Sequence, residues 1–169
     1  MYLDFLYVPV DYFSTLKRKE CTFELLIPFL ISIGSLCYSV FIDVNSQYHF
    51  IQSVLQFMET LLGFTLAALT LLLSNSHIEE KTKKYQTHRQ KRGKPITMYE
   101  LLVVQFSHPI VIEAILCATY YCASLFSAIY CEIGAMIVNT LFIFMTFHVM
   151  FATIRAVSCI YFIATGLNK

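Results

Sequence analysis

Apolar side chains run along this chain in four long stretches, with few charges inside any of them. After Lys17-Arg18-Lys19-Glu20, residues 23–42 carry a single charge, Glu24, near their edge. Residues 50–73 carry only Glu59, residues 110–130 only Glu113, and residues 133–154 none. Each stretch is close to the ~20 residues a helix needs to cross roughly 30 Å of hydrocarbon. In hydrocarbon every backbone N–H and C=O must be satisfied, and a helix does so within its own segment. A barrel strand would alternate apolar and polar positions over about ten residues, whereas Leu61-Leu62-Gly63-Phe64-Thr65-Leu66-Ala67-Ala68-Leu69 does not alternate. The pattern predicts an all-α integral membrane bundle of four transmembrane helices, a single membrane domain over residues 1–169. The spans are drawn at about 23–42, 50–73, 103–130 and 133–154, with a hydrophilic loop at 74–100.

Lys and Arg orient the spans, because cytoplasmic loops carry the excess of positive charge. Lys17, Arg18 and Lys19 precede the first span, and the first and third connections carry none. The second loop carries Lys81, Lys83, Lys84, Arg89, Lys91, Arg92 and Lys94, and Arg155 and Lys169 follow the fourth span. All 12 Lys and Arg therefore fall on one side, which puts both termini and the long loop in the cytoplasm. Tyr48 and Tyr130, then Tyr99 and Tyr161, stand where an interfacial aromatic belt is expected. Residues 156–163 stay apolar and read as a helical extension or an interfacial segment. Asp4 and Asp11 interrupt the aromatic-rich first sixteen residues, so these do not read as a signal peptide. They suit a segment lying on the membrane or packing below the bundle.

Composition agrees with a membrane protein. Hydrophobic residues make up 57% and charged residues 14%, against about 45–50% and about 25% in soluble domains. The net charge of +1 supplies no field for nucleic acid, and nucleic acid is not an expected partner. The six cysteines form no Cys-x-x-Cys and fall mostly inside spans as small apolar residues, so neither a disulfide framework nor a metal site is expected. His77-Ile78-Glu79-Glu80 is not the His-Glu-x-x-His of zinc peptidases, and there is no Gly-x-Ser-x-Gly or phosphate loop. No catalytic residue and no cofactor is assigned; the chain reads as non-enzymatic.

Polar residues inside spans are costly and face protein or water. Gln52, Gln56, Glu59, Gly63, Ala67, Thr70 and Ser74 share one face of the second helix, opposite Leu55, Phe57, Leu61, Leu62, Phe64, Leu69 and Leu72, as helical spacing dictates. Small residues let helices approach closely with polar groups bonding across the contact; alternatively, the stripe lines an aqueous path in an oligomer. Glu113 on the third helix and His148 on the fourth are both read as lying in the inner half. A pair between them would either relay protons or fix helix register as a neutral hydrogen bond. In the loop, Glu80 and Lys84 stand at i,i+4, so the second helix is expected to run on until Gly93 and Pro95 end it. The loop cations serve either as topology signal and lipid contact or as a docking surface for a cytosolic protein.

The run from Gly63 to Ser74, the basic loop after it and an acidic residue early in the third helix, Glu113, resemble the RexB-type phage-exclusion proteins. The build is also similar to KwaA-like four-helix subunits of antiphage systems. The resemblance implies a multi-pass protein of the bacterial inner membrane, homo-oligomeric, that conducts ions and depolarises an infected cell. Gln52, Gln56 and Glu59 are then expected to line the outer half of a path. The rival expectation is a membrane anchor or sensor that recruits a cytosolic defence partner through residues 74–100.

Overall fold

The computed structural model describes residues 4–39, 44–75, 80, 82–125 and 132–165. Tyr130, Cys131, Ser127, Lys81 and Lys169 lie outside them. A 3-10 turn, Asp4–Leu6, leads into α1, Tyr7–Thr15; α2 is Arg18–Ser39 and α3 is Val44–Ser74. A hairpin of β1, Gln86–Lys91, and β2, Lys94–Thr97, then precedes α4, Met98–Leu125, and α5, Glu132–Thr165. Four helices are long and apolar enough to cross a membrane, over Arg18–Tyr38, Gln52–Ser74, Met98–Cys122 and Met136–Ile163.

These bounds shift the expected spans at both ends of the chain. α4 starts at Met98 because Thr97 and Glu100 form a capping box. The Thr97 N–H donates to Glu100 Oε2 at 2.8 Å, and the Glu100 N–H meets Thr97 Oγ1 at 3.3 Å. At about 1.5 Å per residue, Glu113 consequently lies about 22 Å along a helix about 42 Å long. That is the middle of the candidate span and not its start. α5 continues as helix to Thr165, so residues 156–163 extend the fourth helix.

The loop expectation needs correction. The second helix ends at Ser74, and the cations beyond it lie largely on a β-hairpin. Arg92 and Gly93 both have positive φ, 50° and 79°, the pair of left-handed positions that a tight two-residue hairpin turn demands and that glycine supplies without steric cost. Lys91 pairs with Lys94 across this turn, and Gln90 with Pro95. A two-stranded ribbon tolerates Pro95 because each strand is an edge. Along β1, Thr87, Arg89 and Lys91 turn inward and Gln86, His88 and Gln90 outward. A continuous helix would have stacked the loop's cations on one another with no apolar face to bury.

The four long helices pack as a row. α2 packs on α5, α5 on α4, and α4 on α3. Among the described residues α2 and α3 make no extensive contact, so they form the two edges of the row. Leu55, Met58, Leu116, Phe142 and Val149 form one core cluster between α3, α4 and α5. Leu72, Leu102, Phe106 and Ala156 form a second toward the hairpin end. α1 lies against α4 and buries Tyr12 and Thr15, while Leu6, Tyr7 and Val10 stay exposed.

Candidate functional site

As an edge helix, α3 has one face in the core and one outside. Leu55, Met58, Thr65 and Leu72 are buried, and Gln52, Gln56, Glu59, Gly63, Ala67, Thr70 and Ser74 are all exposed. Phe57 and Phe64, expected on the opposite faces, are exposed like the stripe, as is Leu71, because an edge helix is uncovered over more than one polar stripe. A Cβ built on Gly63 meets nothing within 4 Å, so packing inside the subunit does not require glycine there. The sequence-derived stripe therefore exists as one surface, and none of the described residues covers it.

Polar ties join α3 to α4. The Tyr121 hydroxyl donates to Glu59 Oε1 at 2.5 Å, on the exposed side of the seam. Farther along, Thr65 Oγ1 lies 2.8 Å from Glu113 Oε2, and both residues are fully buried. Glu113 and His148, considered above as a pair, have different partners: Glu113 meets Thr65 and His148 meets His108.

His148 and His108 belong to a second cluster, built from α1, α2, α4 and α5. Pro28 sits inside α2 and has no N–H, which frees the Glu24 carbonyl four residues earlier. His148 Nδ1 lies 3.2 Å from that oxygen and must donate to it, since a carbonyl only accepts. In the neutral ring, Nε2 is then a bare acceptor. His108 Nε2, 3.1 Å away, donates into it, and His108 Nδ1 is left without a partner among the described residues. Tyr12 of α1 stacks on His108 at 3.7 Å between ring centroids, and Phe13 stacks on His148 at 5.9 Å.

The Tyr12 hydroxyl donates to Glu24 Oε2 at 2.7 Å, and the Arg155 guanidinium lies 4.7 Å from the centroid of the Tyr12 ring. Arg155 Nε is 3.2 Å from Glu24 Oε1 and Nη1 is 3.6 Å from Glu20 Oε2. Both are ion pairs without hydrogen-bond geometry. Burial pushes the Tyr12 hydroxyl far above its usual pKa; Arg155 opposes this and the Glu24 charge adds to it.

The hairpin clasps the same end of the row. Arg89 makes a bidentate pair with Glu20 at 2.6 and 2.7 Å and donates to the Thr15 carbonyl at 2.9 Å. Burial opposes the Arg89 charge, but the hydrogen bonds and attraction from Glu20 outweigh it and raise the Arg89 pKa. Lys91 and Arg92 lie 3.1 and 2.6 Å from Asp11. Arg92 also covers the Tyr7 ring at 4.7 Å, and Lys83 lies over Tyr99 at 5.4 Å. Three of the expected docking cations, Arg89, Lys91 and Arg92, thus meet the protein's own carboxylates. Lys84 and Lys94 are exposed.

Sequence reasoning missed Tyr12, Glu20, Glu24, His108 and Arg155 as a cluster. One signal was present: a proline inside an apolar span announces a free carbonyl four residues before it, here at Glu24. Comparison with protein-family models, with curated proteins and with solved structures gives no match to this chain.

Proposed function

We propose that this protein is a homo-oligomeric, multi-pass membrane effector in which the exposed face of α3 meets further copies and the polar seam so formed conducts ions. The supporting observation is the stripe of Gln52, Gln56, Glu59 and Thr70 on an open edge of the helix row. Facing lipid, an acid within a span is costly, and exposed amides lose their hydrogen-bond partners. A second α3, or the water held between several, removes that cost. Gly63, Ala67 and Thr70 allow the close approach this requires. The cations gathered by the hairpin and the start of α2 support, by the positive-inside rule, an orientation with that end and both termini in the cytoplasm. The RexB resemblance suggests depolarisation during phage defence as the biological setting.

Membrane potential in bacteria producing the protein, read with a voltage-sensitive dye, tests conduction. The parent collapses the potential, and Glu59→Gln combined with Gln56→Leu restores it. Unchanged depolarisation by the double variant counts against a path on this face. A parent that leaves the potential intact, in cells and in reconstituted vesicles, rules out conduction.

A second reading, a sensor that receives a cytosolic protein at residues 74–100, draws on the hairpin's attachment. Arg89 ties β1 to Glu20 of α2, and Glu20 in turn pairs with Arg155 of α5. A partner pulling on the hairpin would act directly on two helices. Retention of a cytosolic protein that is lost on Lys84→Glu with Lys94→Glu distinguishes this reading.

A further inference from the structure

Glu113 sits at the middle of α4 with no exposed surface, against a helix of the same chain that offers it a single hydroxyl. Thr65 Oγ1 lies 3.0 Å from the Leu61 carbonyl, 3.1 Å from the Leu62 carbonyl and 2.8 Å from Glu113 Oε2. A threonine hydroxyl has one hydrogen. Inside a helix it commonly goes to the carbonyl three or four residues back. Oxygen at Glu113 would then face oxygen at Thr65 with no proton between them, unless the carboxyl brings one.

The other carboxyl oxygen gives an independent indication. Glu113 Oε1 is buried and has no hydrogen-bond partner among the described residues. No ion pair of a described Lys, Arg or His reaches Glu113. An ionised carboxylate buried without a counter-cation costs many kcal/mol, and leaving one of its two oxygens bare compounds the cost. A neutral acid divides its oxygens differently: the hydroxyl oxygen needs an acceptor, and the carbonyl oxygen tolerates being left alone far better.

We infer that Glu113 is a proton-binding site inside the helix row, its carboxyl protonated, with Oε2 carrying the hydrogen and donating it to the Thr65 hydroxyl while Oε1 is the bare carbonyl oxygen.

The surrounding groups leave that proton in place. From α3, the nearest acid is Glu59, held by Tyr121. Along α4, Cys117 lies one turn away on the same seam. From α5, His148 is bonded to His108 and Arg155 is paired with Glu24 and Glu20. From α1, Asp11 is held by Lys91 and Arg92, and Tyr12 by Glu24. Ionising Glu113 requires water or a cation to enter between α3 and α4, so proton occupancy and the packing of α3 are linked. This holds whether or not the α3 face conducts.

Infrared spectroscopy of the purified protein at neutral pH tests the proposal. The chain has 11 Asp and Glu, and exposed carboxyls are ionised at that pH. The parent is expected to show the C=O stretch of a protonated acid, shifting on transfer to D2O, and Glu113→Gln to lose it. Glu113→Leu, which fills the same apolar seam, is the second variant and loses the same band. If the parent shows no such band, the proposal fails whatever the variants do. It fails equally if both variants keep the band, or if they lose intensity from the ionised-carboxylate stretch instead.

Discussion

Replacing Arg155 by Met removes a cation from a place where two carboxylates remain. Glu24 and Arg155 side chains are 4% and 13% exposed, and their charged atoms stand 3.2 Å apart. Glu20, 27% exposed, keeps Arg89 at 2.6 Å when Arg155 is lost, so the consequence falls mainly on Glu24. Breaking a buried pair by removing one partner costs about 3–5 kcal/mol, because the surviving charge is uncompensated. The Tyr12 hydroxyl continues to donate to Glu24 Oε2, which places the expected loss near the lower end, about 3 kcal/mol. That is a shift of roughly a hundredfold in the unfolding equilibrium, at about 1.4 kcal/mol per factor of ten. Adding Glu24→Gln removes the orphaned charge while keeping the shape, and the double variant should recover more than half of the loss. Unfolding by sodium dodecyl sulfate in mixed micelles, followed by helical circular dichroism, measures all three proteins. A single variant within about 1 kcal/mol of the parent, or a double variant no better than the single one, would refute the view that a desolvated ion pair joins α2 to α5.

Two further perturbations probe the clasp at the same end. Tyr12→Phe keeps the stacking on His108 but removes the donor to Glu24, and should cost about 1.5–3 kcal/mol in the same unfolding assay; a change near zero would mean that the hydroxyl is replaceable by water. Gly93→Ala places a Cβ at φ 79°, for about 1 kcal/mol of local destabilisation, read as faster trypsin cleavage within residues 86–97 with the helices still intact.

Apolar length made the four long helices legible, since hydrocarbon admits few other solutions. The α3 stripe was legible too, because Gln52, Gln56 and Glu59 are conspicuous against leucine. The order of the helices in the row was not. In a soluble protein the buried face is the apolar one, but a membrane helix is apolar toward both lipid and protein, so residues of α4 and α5 give little sign of what they touch. The hairpin was missed for a different reason. A single i,i+4 pair, Glu80 and Lys84, is a weaker signal for helix than Arg92-Gly93, with its turn chemistry, is for a hairpin. The capping box at Thr97 and Glu100 was also readable and would have moved Glu113 from the edge of its span to the middle.

Where polarity cannot tell one neighbour from another, polar contacts inside the row take over that task. α2 is fixed to α5 by Glu24 with Arg155 and by the Glu24 carbonyl with His148. α3 is fixed to α4 by Glu59 with Tyr121 and by Thr65 with Glu113. Each edge helix thus makes several polar contacts with one inner helix, and sliding it by a turn, about 5.4 Å, would break them together. Van der Waals packing between leucines would barely register such a slip. The same logic explains why the acids differ in setting. At Glu24 a full charge is matched by arginine near the hairpin end, where Glu20 and Arg89 complete a neutral set of four charges. At Glu113, farther from any cation, a fixed charge would have no match, and a carboxyl that carries its own proton can join two helices without one.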